Sequence, residues 1–324
     1  MTARMDLEKK VDDYLAERRR LGFQSRRAGY ALVSFARYVS HATHRGPLTV
    51  ACMAEWARLD KWNRGLPETW ARRLKLLRPF ARWMRQFEPR TEVPDASTFG
   101  PVSGRVSPHI FREDEIVALL DAAQRLRPQD GLRPATYRTL FGLLAAAGLR
   151  ISEALSLLDA DVDLTDGTLT VRQTKFAKSR CLPLHPTAVD ALTTYRRLRS
   201  RQIRTTEVTP FFVGTRGKRL GQHLSNRQVH RVFGELRGTL GWANRGAHDG
   251  PRIHDLRHSF AVRRVMLWHA QGTDVDQAML ALSTYLGHAK ISNTYWYLTG
   301  VPELMALAGG KFARFAEAPE ADDE

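Results

Sequence analysis

The sequence predicts a mainly α-helical chain with a small β-sheet (α+β), built as a helical N-terminal domain followed by a larger mixed domain. Three observations predict it. Apolar residues recur at helical spacing through most of the 324 residues. A proline- and glycine-rich stretch interrupts that pattern near residue 100, and alternation of apolar and polar residues is confined to a short region after Asp166-Gly167. A chain of this length suggests two domains, each large enough to bury a core.

In order along the chain, Val11, Tyr14 and Leu15, then Tyr30, Leu32, Val33, Phe35, Ala36 and Tyr38, mark the first helices, and further helical stretches are expected at about 50–60 and 68–87. Residues 1–96 form the helical domain. The segment 92–108 (EVPDASTFGPVSGRVSP) lacks periodicity and gathers prolines and glycines, so the linker is placed at 97–106. The second domain, 107–316, opens with a helix at Phe111 whose first turn is acidic, as the helix dipole favours. An apolar helix at about 135–147 ends at Gly148, a residue suited to a helix C-terminus. The runs 168–172 and 181–184 read as a small hairpin, Phe211-Phe212-Val213 as another short strand, and the remainder as helix. The tail 317–324 is acidic and of low complexity, and is expected to be disordered.

Hydrophobic content of 43% and charged content of 26% are those of an ordinary globular chain. The balance of charge is not: 50 Lys+Arg oppose 34 Asp+Glu, a net +16, and more than half of the excess lies in the first domain. Arginine dominates it, and a planar guanidinium fork suits phosphate better than a lysine point charge does. The expected partner is therefore a nucleic acid, with a generic basic surface or anionic lipid as the alternatives. Cys52 and Cys181 lie far apart without metal-binding spacing, which fits a reducing cytoplasm and two buried, inert thiols. The charged N-terminus has no apolar signal core, and no run of about 18 apolar residues is present, so a cytoplasmic protein without a membrane span is expected.

Certain residues carry chemistry. Arg150 lies in AAGLRISE, Lys175 in QTKFAKSR, and His254 and Arg257 in His-Asp-Leu-Arg-His; Tyr297 follows His288 of a Leu-Gly-His turn by nine residues. Breaking a phosphodiester with a tyrosine needs an in-line oxygen, positive charge on the non-bridging oxygens and an acid for the departing oxygen. Fixed donors aimed where negative charge develops supply most of such catalysis. Arg150 and Arg257 are permanently charged and can each present two parallel donors. Glu153, three residues after Arg150, can fix that arginine's rotamer or be an ordinary helix acid. Lys175 can protonate a leaving oxygen, with Lys178 as the runner-up. His254 shares a helical face with Arg257 and can act as acid or base near neutral pH, while His258 either packs or meets DNA. His288 can donate to the same oxygens. Tyr297 needs electrostatic activation because a free phenol ionises near pH 10; Tyr295 is the close alternative, and Tyr295 and Trp296 are expected to be buried packing.

The ordered set resembles the tyrosine recombinase (phage integrase) family, from about residue 107 to 310. The resemblance implies a core-binding domain followed by a catalytic domain, together encircling duplex DNA at specific recombination sites. It implies Arg150 and Arg257 as the clamp, Glu153 as support for the first arginine, and Lys175 as the first lysine of a turn matching Lys175-Phe-Ala-Lys178-Ser-Arg180. His254 and His288 complete the set, and Tyr297 is the nucleophile by its offset from the Leu-Gly-His turn. The product would be a 3′-phosphotyrosyl bond with a free 5′-hydroxyl, formed without metal, other cofactor or ATP. It implies a homotetramer on two sites, or assembly with related recombinases, with residues 301–315 as the segment exchanged between neighbours; an intramolecular helix is the alternative. Two departures stand out. Thr174 and Phe176 occupy positions where the family often has glycine, and the stretch 261–284 is longer than usual, the excess being assigned to a loop at 271–274.

The reading is thus a site-specific recombinase for integration or transposition of a mobile element, with Xer-like resolution of chromosome dimers as the alternative. A type IB topoisomerase or a DNA-binding protein without catalysis would share the charge. His254 and His258 also have the i, i+4 spacing of a zinc hydrolase helix, but Asp255 stands where that motif has glutamate and no third ligand motif is evident.

Overall fold

The structure, a computed structural model, describes residues 6–296 apart from 24–25, 43–45, 60–65, 103, 105, 130 and 173–178. The chain divides into two compact units, Met1–Arg105 and Val106–Glu324.

The first unit holds four helices: α1 (Leu7–Arg20), α2 (Arg26–His41), α3 (Val50–Arg58) and α4 (Pro67–Met84). Asp6 caps α1 by accepting from the Lys9 amide at 3.2 Å, and Thr49 does the same for α3 through the Cys52 amide at 3.2 Å. Such caps satisfy amides that the first helical turn leaves without partners. Pro67 starts α4, where its missing N–H is harmless, but Pro79 lies inside the helix. The helix nevertheless runs on, because Leu74, Leu77, Phe80, Ala81 and Met84 bury one face against Leu32, Phe35 and Trp56. Tyr14 meets Phe80 edge-on at 5.4 Å between ring centres, and Trp83 donates to Glu17 at 2.8 Å, tying α1 to α4.

The second unit begins with α5 (Glu113–Gln124), α6 (Leu132–Ala147) and α7 (Ile151–Ser156), followed by a short 3₁₀ turn. A three-stranded antiparallel sheet comes next: β1 (Val162–Asp163), β2 (Thr168–Val171) and β3 (Arg180–Pro183) in the order β1-β2-β3, with Val171 opposite Arg180. The expected hairpin is β2–β3; the two-residue β1 is too short to leave a sequence pattern. Then come α8 (Pro186–Gln202), α9 (Asn226–Leu240), α10 (Ile253–Ala270), α11 (Val275–Leu286) and α12 (Ser292–Tyr295). Residues 271–274 form the turn between α10 and α11, as expected.

Three expectations need correction. Phe211-Phe212-Val213 is not a strand; only isolated bridges flank it, Leu158 with Pro210 and Val213 with His223. Its side chains are fully buried, and the buried Arg199 guanidinium, rather than a neighbouring strand, donates to the carbonyls of Pro210 (3.2 Å) and Phe211 (2.8 Å). An apolar run of this kind looks the same in sequence whether a ladder or a side chain takes its backbone. Cys181 is exposed, because it faces outward on β3, whereas Cys52 is buried. Tyr295 is 40% exposed instead of buried. Among the described residues no helix is long and apolar enough to cross a membrane.

Candidate active site

The site is assembled on the C-terminal end of α11. Gly287 has φ +66°, and its amide bonds the Thr284 carbonyl at 3.0 Å while the His288 amide bonds that of Ser283 at 3.0 Å. This is a Schellman ending, which glycine adopts without steric penalty. It leaves the last carbonyls, of Tyr285, Leu286 and Gly287, to be satisfied by other groups. Three arginines take them. Arg180 Nε donates to Tyr285 at 2.8 Å, Arg257 Nη2 to Leu286 at 2.6 Å, and Arg150 to Leu286 at 3.4 Å and Gly287 at 3.3 Å. Cations at the negative end of a helix dipole are favourable, so helix end and arginines hold one another.

Local sequence explains how each arginine arrives. Gly148 ends α6 with φ +58°, and a Cβ there would lie 2.4 Å from the Phe260 ring, so only glycine fits. The chain then turns so that Arg150 precedes α7 in extended conformation. Arg257 sits in the buried first half of α10 and is itself 1% exposed, with a second bond from Nη1 to the Gly148 carbonyl at 2.7 Å. The Leu-Gly-His and Gly-Leu-Arg signals are thus two helix endings that converge on Arg257.

Glu153 lies at the centre. It accepts from the Arg150 amide (3.0 Å) and guanidinium (2.7 Å), and from Arg180 at 2.8 and 3.3 Å, and it meets Arg257 at 4.0 Å. Burial alone would push its carboxyl pKa up, but Arg180, the Arg150 amide and the Arg150 side chain outweigh that and hold it below the usual carboxylate range. One carboxylate among three guanidiniums leaves the cluster with surplus positive charge.

The histidines extend the cluster. His288 places Nε2 3.0 Å from Arg257 Nη2 and Nδ1 2.7 Å from the Thr294 hydroxyl. His254 and His258 rings meet edge-on at 4.8 Å, and His258 meets Trp296 at 5.2 Å. The His254 pKa is lowered to about 4 by the surrounding protein and by the Arg257 and Arg252 guanidiniums. The residue itself is exposed at the first turn of α10, where the guanidiniums beside it act on the ring. His258 is buried and pushed further down, by burial first and then by His254 and Arg252. Both rings are therefore neutral at pH 7. Asp255, fully buried, accepts from the Arg252 amide at 2.8 Å and guanidinium at 2.7 Å, which fixes the start of α10. Among the described residues no three His, Cys, Asp or Glu side chains are grouped to hold a metal ion.

The Phage integrase family profile matches residues 109–301. The chain belongs to the phage integrase, or tyrosine recombinase, family. Its members are enzymes that break and rejoin DNA. Similar proteins include "Putative integrase/recombinase y4rB" of Sinorhizobium fredii, 37% identical over 309 residues that cover 94% of this chain and 96% of the relative. Another is the tyrosine recombinase XerC of Chromobacterium violaceum, 31% identical over 255 residues covering 78% and 77%. Among solved structures, the Tn1549 transposon integrase in complex with transposon right end DNA shares the fold at a TM-score of 0.67 and 16% identity, over 96% of this chain and 100% of that one.

Of the residues that sequence picks out in this recombinase, Arg150, Glu153, Arg257 and His288 come together, and His254 stands within the field of the two arginines. Lys175, Lys178 and Tyr297 lie outside the described residues, as do 301–315 and the acidic tail. His258 packs between His254 and Trp296 rather than presenting itself outward. Sequence reading missed Arg180, Arg252 and Thr294. Arg180 was visible as the last residue of the Lys-Phe-Ala-Lys-Ser-Arg turn, but only the fold shows that it grips Glu153. Thr294 carries no signal beyond its position six residues after His288.

Proposed function

We propose that this recombinase cuts and rejoins duplex DNA at specific sites through a 3′-phosphotyrosyl bond to Tyr297, in the integration or transposition of a mobile element. The observation that carries the reading is the cluster of Arg150, Arg257 and His288 around Glu153, with Tyr297 nine residues further along the chain. Arg150 and Arg257 hold the non-bridging oxygens, where charge gathers as the phosphorus becomes five-coordinate. Glu153 orients Arg150 and stays ionised because its own pKa is depressed. His254, neutral above about pH 4, has a lone pair to receive the tyrosine proton, and a bound phosphate that cancels the neighbouring guanidinium charges raises its basicity. Lys175 protonates the departing 5′-oxygen, a role that rests on the sequence resemblance. The free hydroxyl of a partner strand then reverses the attack, so the bond energy is conserved without metal or ATP.

The net +16 favours backbone binding by both units, and a tetramer on two duplexes supplies two pairs of nucleophiles for exchange. The likeness to XerC supports a second biological role, chromosome-dimer resolution by the same chemistry.

Nicked suicide duplexes taken from the flanks of the encoding locus test the reading on denaturing gels. The expected result is a covalent adduct that resists EDTA, persists in Tyr295→Phe and disappears in Tyr297→Phe. Duplex binding without an adduct from any flank would instead identify a DNA-binding protein, and an adduct lost only in Tyr295→Phe would move the nucleophile. Sequencing of the joined products separates the roles: circular junctions of the locus mark a mobile element, and products at a chromosomal resolution site mark an Xer-like function.

A further inference from the structure

We propose that Thr294 is a positioning residue whose hydroxyl accepts the His288 Nδ1–H and fixes the ring plane, and so ties the arginine cluster to the short helix that precedes Tyr297. The bearing of this on catalysis rests on the recombinase reading. The geometric argument does not.

Thr294 is fully buried on α12, and its hydroxyl lies 2.7 Å from His288 Nδ1. On the other side of the ring, Nε2 lies 3.0 Å from Arg257 Nη2. An arginine nitrogen can only donate, so the Nε2 that faces it presents a lone pair. A neutral imidazole carries its single proton on the other nitrogen, and Nδ1–H therefore donates to Thr294 Oγ1. The threonine acts here as an acceptor.

The opposite tautomer would point an N–H at the Arg257 guanidinium and leave Nδ1 as an acceptor beside the hydroxyl. The arginine, which only donates, thus sets the tautomer, and the hydroxyl, which can donate or accept, holds the Nδ1–H that results. Its own position is set by the backbone, since the Thr294 amide bonds the Ile291 carbonyl at 2.7 Å and a β-branched side chain has few rotamers. In this arrangement His288 accepts from Arg257, orienting a guanidinium that also grips the Leu286 carbonyl at 2.6 Å. A ring protonated on both nitrogens donates from Nε2 to a phosphate oxygen and from Nδ1 to Thr294. Thr294 serves as the acceptor for Nδ1–H in either state, so the ring plane need not change.

Full-length protein labelled with ¹⁵N-histidine tests the assignment, because long-range ¹H–¹⁵N spectra distinguish Nδ1–H from Nε2–H imidazoles. His288→Gln identifies the signals. Wild type and Thr294→Ser are expected to show the Nδ1–H form with a hydrogen-bonded, downfield Nδ1 proton, and Thr294→Val and Thr294→Ala to keep the tautomer but shift that proton upfield as its acceptor is lost. Adduct formation on the suicide duplexes is expected to slow about 10-fold in Thr294→Val, the scale of one lost hydrogen bond in the transition state, with duplex binding unchanged. Thr294→Ser is expected to recover to within about threefold. An Nε2–H form in wild type, or an Nδ1 proton unshifted in both Thr294→Val and Thr294→Ala, overturns the proposal, as does a Thr294→Val rate equal to wild type. If wild type itself forms no adduct, the recombinase reading fails, and the spectra alone then uphold or overturn the role of Thr294.

Discussion

Among the described residues of the first unit, Thr91 is the one buried polar side chain, and the many arginines lie at or near the surface. The second unit buries charged groups, including Glu115, Glu153, Asp161, Arg199, Asp255 and Arg257. Taking a charge out of water is expensive unless partners surround it, so burial of this kind marks work that surface charge cannot do. Within that unit the comparison sharpens between two arginines that are both almost wholly buried. Arg199 is matched to the Asp159 carboxylate, with Arg196 beside it at 3.2 Å, and supports the Phe211 backbone. Arg257 bonds two carbonyls and an imidazole, and meets its carboxylate only at 4.0 Å. The first arginine completes a core; the second is the one that the proposed function places on a phosphate.

The largest expected effect separates these two. Arg257→Lys keeps the charge but loses the parallel donors, and should slow adduct formation on the order of 10²–10³-fold. Arg199→Met should lower unfolding free energy in urea by about 3 kcal/mol and leave the rate of the folded protein within about threefold. Equal losses of rate in both variants would break the comparison.

Arg180 lies between the extremes, as it touches both the carboxylate and the helix end. Arg180→Lys can keep one of its contacts to Glu153 but not the Tyr285 carbonyl as well, and a roughly 10- to 30-fold loss of rate with unchanged duplex affinity is expected. Single-turnover cleavage beside a binding titration measures it, and a loss of affinity without a loss of rate would make Arg180 a DNA contact instead.

The smallest effect is on stability against pH. His258 is buried and its folded pKa is depressed, so the fold favours the neutral ring. That contribution is fully present above the unfolded value of about 6.5 and is lost as pH falls below it, with a limiting slope of ~1.4 kcal/mol per pH unit. Urea midpoints of wild type should therefore fall between about pH 6.5 and 5.5, and those of His258→Gln should fall less. Glu153, whose pKa is also depressed, loses its contribution only below the carboxylate range, near pH 4.5, so the two windows separate. Parallel midpoints in both proteins would show that the ring is not held neutral.

The helices were legible in the sequence because their apolar faces repeat, and the linker because prolines and glycines gather there. Gly148 and Gly287 were legible for a better reason: each is a helix ending that no other residue can make as cheaply, and each stands beside a site residue. The segment at Phe211 misled because an apolar run does not say what takes its carbonyls. Arg180 and Thr294 were hidden for the same physical reason, since each acts through a partner more than 100 or only six residues away that pattern reading cannot pair with it. Tyr295 stayed ambiguous because exposure is settled by three-dimensional neighbours and not by aromatic character.

Helix α11 has no basic residue in its own last turn and relies on arginines from three other places in the chain to finish it. Its ending is therefore an interlock. With any one of those arginines undocked, the turn that carries His288 loses a donor to its carbonyls. For the cleavage proposed above, such a failure falls on the safe side, since a molecule whose turn is not closed would be poorly set to cut.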